Sequence, residues 1–131
     1  MSEKLRVLVV DDHERIIEAA PGWVGRTGVA EVTHTTRDPL EALALYAMNR
    51  HDAVLCDVYM PQMNGFELTH ALRQVDEDAV VVLMSAREAE LLREEAERSG
   101  AKAVVSKLAA PGELRDVLLE QCPHIIEGLD L

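Results

Sequence analysis

Five short apolar runs, separated by stretches whose apolar residues recur at helical spacing, constrain this 131-residue chain more than any other feature. The runs are Leu5–Val10, Val29–Thr35, the stretch from Ala53 into Asp57, Ala79–Met84 and Ala103–Val105. Apart from the second, which alternates imperfectly around Val32, they are too continuously apolar for a sheet with one wet face. They read as strands buried on both sides. Strict alternation of such strands with helices predicts an α/β fold, one parallel sheet covered on both faces and joined by right-handed crossovers. The length suits a single domain with a full core and no covalent staples.

The intervening stretches carry their own punctuation. A first helix is expected from about His13, with Ile16, Ile17 and Ala20 inward. Pro21 and Gly22 should interrupt or kink it, because proline lacks the amide proton and its ring meets the preceding turn. Asp38-Pro39-Leu40-Glu41 is a helix start, with Leu40, Leu43, Ala44 and Ala47 as its inner stripe. Asn64 with Glu67 makes a capping pair for a third helix, whose stripe is Leu68, Ala71, Leu72 and Val75. A charged fourth helix runs from Arg87 to Ser99 and stops at Gly100. Pro111 opens a fifth, with Leu114, Val117 and Leu118 inward, and Pro123 closes it.

The polar residues that matter sit where the strands end. Asp11 and Asp12 follow the first, Asp57 the third, Ser85 the fourth and Lys107 the fifth. Open α/β sheets place their chemistry at the carboxyl ends of their strands, so these side chains should meet on one edge. Any one of them alone is equally compatible with a strand-end cap. Together, three carboxylates can hold Mg²⁺, which prefers oxygen ligands and keeps several waters. A strand-end carboxylate can also attack phosphorus, and Lys107 and Ser85 can take up phosphoryl oxygens as point charge and hydroxyl donor.

With this set in place, the chain resembles the receiver domains of two-component response regulators from Leu5 to about Gln121. The resemblance implies the flavodoxin-like, doubly wound five-stranded sheet of order 2-1-3-4-5. It assigns Asp57 as phosphoacceptor, Asp12 as a direct Mg²⁺ ligand, Asp11 as a mainly water-mediated one, and the Tyr59 carbonyl as another. Ser85 is the implied hydroxyl beside the phosphoryl group and Lys107 the implied phosphate-pairing lysine. Met60-Pro61 and Gly65 match the family loop after Asp57. Three positions depart from the pattern: Val104 stands where an aromatic residue is usual, Leu108 where proline follows the lysine, and Pro21-Gly22 interrupts the first helix.

Receiver residues 1–122 with a short tail, 123–131, are therefore expected, and the function expected is a switch phosphorylated by a histidine kinase or phosphotransfer protein. The alternative is a pseudo-receiver that signals through its surface without phosphorylation. A phosphatase or phosphomutase fits less well, since that chemistry wants a second acid two residues after the nucleophile, where this chain has Tyr59. Output is expected at the face of helix four, strand five and helix five, with the loop Ser85-Ala86-Arg87 carrying the change. Thirteen basic and twenty-four acidic residues give a net charge of −11, which opposes direct contact with nucleic acid. No apolar run reaches membrane-spanning length. Cys56 and Cys122 have no disulfide or metal spacing, so a cytoplasmic location is expected. His13, His34, His51, His70 and His124 show no ligand spacing and read as packing or surface residues.

Overall fold

The computed structural model describes residues 4–86 and 89–123. Five parallel strands, β1 (Leu5–Val10), β2 (Ala30–Thr36), β3 (Ala53–Asp57), β4 (Val81–Ser85) and β5 (Ala103–Ser106), form one sheet in the order β2-β1-β3-β4-β5. The helices are α1 (Glu14–Gly25), α2 (Pro39–Asn49), α3 (Gly65–Val75), α4 (Arg93–Ser99) and α5 (Pro111–Gln121). This is the doubly wound arrangement expected. The order reverses between β1 and β3, so a crevice opens above their carboxyl ends.

Alternation along each strand divides the core in two. Val7, Val9, Leu55, Val82 and Met84 pack with Trp23, Val24, Leu114 and Leu118 under α1 and α5. Leu8, Val10, Val54, Cys56 and Leu83 pack with Tyr46, Leu68, Leu72 and Ala96 under α2, α3 and α4. Each fully buried leucine contributes about 1.5–3 kcal/mol. Cys56 lies on the second face, away from its neighbour Asp57, as strand alternation requires.

Two helix starts follow their sequence signals closely. Asp38 Oδ1 accepts from the Leu40 amide at 2.9 Å, with Pro39 in the first turn. Asn64 and Glu67 form a reciprocal box: Asn64 Oδ1 accepts from the Glu67 amide at 2.8 Å, and Glu67 Oε1 accepts from the Asn64 amide at 3.0 Å. Gly100 ends α4 with φ 97, a left-handed conformation that glycine adopts without a Cβ penalty.

Three local expectations are corrected. α1 is not broken at Pro21 but continues through it to Gly25. Pro21 faces solvent, and its missing hydrogen bond is offset beyond it, where Trp23 and Val24 are buried and Trp23 Nε1 donates to the Ala109 carbonyl at 2.6 Å. The inner stripe of α2 is Pro39, Ala42 and Tyr46, while Leu40 is 61% exposed. The helix is apolar almost all round, so periodicity does not select a face. Tyr46 does, by donating to Asp76 Oδ2 at 2.8 Å and stacking on His51. The fourth helix is shorter than expected: a 3-10 turn, Ala89–Leu92, precedes α4. Arg87 and Glu88 fall outside the described residues, as does the stretch 124–131 of the expected tail.

Candidate functional site

Asp11 and Asp57 end adjacent strands, and the parallel register delivers them side by side. Val10 pairs with Cys56 in the sheet, so the next residue of each strand emerges at the same edge. The Asp11 amide still donates to Thr36 of β2, at 3.2 Å, which fixes its backbone. Asp11 is fully buried and Asp57 is 2% exposed. Asp12 is half-buried beside them, its carbonyl accepting from Arg37 Nε at 3.1 Å.

Lys107 reaches this pair from β5. Its amide donates to the Ser85 carbonyl at 2.8 Å, and the chain then turns through Leu108 at φ 56. Its ammonium lies 2.9 Å from Asp11 Oδ2 and 3.2 Å from Asp57 Oδ1. One cation thus spans two buried carboxylates. It does not cancel their burial: desolvation, followed by the Asp11 charge, pushes the Asp57 carboxyl up from 3.8 to about 6, against the pull of Lys107.

Ser85 is buried at the end of β4, beside the strand that carries Asp57. Tyr59 points its ring outward at 65% exposure, while its amide makes a long contact, 3.4 Å, to Asp57 Oδ1. The loop that follows Asp57 closes where the Gly65 amide donates to the Val58 carbonyl at 2.7 Å.

The residue missed in the sequence is His13. Its amide donates to Asp11 Oδ1 at 2.8 Å, and its ring Nδ1 lies 2.9 Å from the same oxygen. The same nitrogen is 3.2 Å from Asp12 Oδ1 and 3.5 Å from Asp57 Oδ2. The signal was its place directly after two strand-end carboxylates, in a turn that folds it back over them. Spacing among histidines could not have revealed it.

The donor set fits a hard divalent cation. Asp12 Oδ1 and Asp57 Oδ2 are buried and without a hydrogen bond among the described residues. Such carboxylate oxygens are costly unless a cation or donor meets them. Asp11, Asp12 and Asp57 supply the oxygens that Mg²⁺ prefers.

The family model for the response regulator receiver domain matches residues 7–119. The chain is a response regulator receiver domain. Over 112 residues the receiver is 38% identical to a response regulator receiver protein of Anaeromyxobacter sp. strain Fw109-5, covering 86% of this chain and 46% of that relative. Response regulator MprA of Mycobacterium sp. strain KMS is 36% identical over 84 residues, covering 64% of this chain and 36% of the relative. The chain thus spans less than half the length of these curated relatives. Among solved structures, the signal receiver domain of NarL from Mycobacterium tuberculosis has a TM-score of 0.82 at 28% identity, covering 92% of this chain and 98% of that one. A LuxR-family response regulator from Aurantimonas sp. SI85-9A1 has a TM-score of 0.81 at 26% identity, covering 97% and 96%. Receivers are signalling switches of two-component systems rather than conventional enzymes. In this receiver no helix among the described residues is long and apolar enough to cross a membrane.

Proposed function

We propose that the receiver is a phosphorylation-dependent switch whose Asp57 accepts a phosphoryl group from a histidine kinase or phosphotransfer protein. The supporting observation is the arrangement at Asp57: a buried carboxylate, one oxygen paired with Lys107 and the other without a hydrogen bond, beside a second buried aspartate. In this reading an Asp57 oxygen attacks phosphorus as the bond to the donor nitrogen breaks. Asp12, Asp57 and the Tyr59 carbonyl would hold Mg²⁺, with Asp11 acting mainly through water. The ion would supply neutralisation of the phosphoryl charge. Lys107 pairs with another phosphoryl oxygen, and Ser85 moves its hydroxyl toward a third. The chain itself thereby promotes its own phosphorylation and dephosphorylation and no other turnover.

The receiver is taken as residues 1–122, acting in the cytoplasm, with 123–131 a tail. Output is assigned to the face of α4, β5 and α5. There Arg93, Glu97, Lys102, Val104, Glu113 and Val117 help line a groove of about 390 Å³. Its charge balance, and the net −11 of the chain, suit a protein surface rather than nucleic acid. Val104 favours the second reading, the pseudo-receiver. It is half-buried on β5 opposite Leu83 and offers no ring to exchange between buried and exposed positions.

Beryllofluoride with Mg²⁺, a stand-in for the phosphoryl group, separates the two readings through backbone amide shifts. In the wild type, shifts are expected at the Asp57 loop and at Ser85 and the turn that follows it, while the Val104 side-chain signals hold their positions. A phosphoryl group biases the fold only through contacts that differ between states, so Lys107→Ala should keep the shifts near Asp57 and lose most of those beyond Ser85. Wild-type shifts confined to the Asp57 loop would instead favour the pseudo-receiver.

A further inference from the structure

The His13 ring has more claims on one nitrogen than one nitrogen can meet. Three carboxylate oxygens, from Asp11, Asp12 and Asp57, lie 2.9, 3.2 and 3.5 Å from Nδ1. The Lys107 ammonium, itself a donor, lies 3.2 Å from the same atom. An imidazole nitrogen carries at most one proton, so in any protonation state it serves one of the three oxygens at best. If it accepts from Lys107 it serves none.

The crowding has the dimensions of a coordination sphere. Donor atoms about 2.1 Å from a small divalent ion stand roughly 3.0 Å apart at right angles and about 3.4 Å apart in a tetrahedron. The contacts of Nδ1 span that range, and one donor atom from each of Asp11, Asp12, His13 and Asp57 lies within 4.8 Å of the others. Asp57 Oδ2, on a side chain 97% buried, has no hydrogen bond among the described residues. The ring is also aimed: the His13 amide and Nδ1 both engage Asp11 Oδ1, which fixes the imidazole over the pocket while 59% of the side chain stays in solvent.

The geometry points to His13 as a nitrogen ligand that turns the acidic cluster toward Zn²⁺ and similar transition-metal dications at the expense of Mg²⁺. Imidazole nitrogen suits zinc and its neighbours, whereas Mg²⁺ selects oxygen and surrenders water reluctantly. The three aspartates serve either ion; His13 serves only one. This inference rests on the cluster being a cation site, and adds to it a choice of metal made by a residue outside the carboxylate set.

The test titrates the metal-stripped full chain, wild type and His13→Gln, with Zn²⁺ and with Mg²⁺ by calorimetry at one pH. Ring nitrogen resonances are followed in ¹⁵N-histidine-labelled wild type. The inference requires that His13→Gln weaken Zn²⁺ binding about tenfold or more, an order of magnitude typical of disturbing a metal's ligand shell, while Mg²⁺ affinity holds or rises. It also requires that His13 Nδ1 shift with Zn²⁺ and not with Mg²⁺. If both metals bind and the variant changes their affinities by the same factor in either direction, His13 is no ligand, yet the carboxylate site stands. If wild type binds neither metal, the cation site itself fails and the inference with it.

Discussion

Asp57→Asn is expected to abolish phosphoryl incorporation and, in chelator, to make the fold more stable at neutral pH. Both effects have one source. Asp57 and Asp11 are buried side by side with Lys107 as their shared cation, and burial raises the Asp57 carboxyl from 3.8 to about 6. A carboxyl whose native pKa lies above its unfolded value costs nothing below about pH 4, where both states bind the proton. As pH rises through about 6 the native state must hold a charge its surroundings disfavour, and stability falls across that window. Asparagine removes that slope but also the ion pair with Lys107. The net gain at pH 7–8 should therefore be about 1–2 kcal/mol, below the full conversion of the shift. Urea titrations from pH 4 to 8 should show a declining wild type and a flatter variant. Added Mg²⁺ should close the gap by stabilising the wild type alone. A variant less stable than wild type at pH 7.5 in chelator would contradict this electrostatic account.

Gly65→Ala should be the most damaging small substitution near the site. A Cβ there would overlap the Asp57 carbonyl oxygen and stand 2.9 Å from Val58 Cα and 3.0 Å from Leu83 Cδ2. Two of those three neighbours are backbone, so the chain after Asp57 has to shift rather than a flexible side-chain end. Overpacking of this kind costs about 1–3 kcal/mol, and here it also moves the carboxylate on which the function depends. Gly22→Ala is the control, because a Cβ at that helical position meets nothing within 4 Å. It should leave stability unchanged or raise it by up to about 1 kcal/mol. Equal melting temperatures for the two variants would show that the close approach at Gly65 is not a constraint.

The sheet and the placement of the polar set were legible because parallel strands convert sequence position into spatial position. A residue just past a buried strand reaches the carboxyl edge whatever the helices do. Asp11 and Asp57 accordingly share the Lys107 ammonium, and Asp12 brings a carboxylate oxygen within 4.8 Å of theirs. The caps at Asp38 and Asn64 were legible for a similar reason, since their partners lie within three residues. What escaped depends on distant partners. The helix through Pro21 is held by Trp23 and a carbonyl 86 residues away. The buried face of α2 is chosen by Tyr46 and Asp76, 30 residues apart. His13 directly follows two of the groups it meets, Asp11 and Asp12, but the other two, Asp57 and Lys107, are brought to it only by the fold.

The central claim is covalent chemistry at Asp57, and intact-mass measurement after incubation with a small phosphodonor such as acetyl phosphate tests it most directly. With Mg²⁺ present, one phosphoryl group per chain is expected, sensitive to hydroxylamine, absent in chelator and absent from Asp57→Asn. A wild-type chain that never gains the group, or an Asp57→Asn chain that gains it equally, would contradict the account.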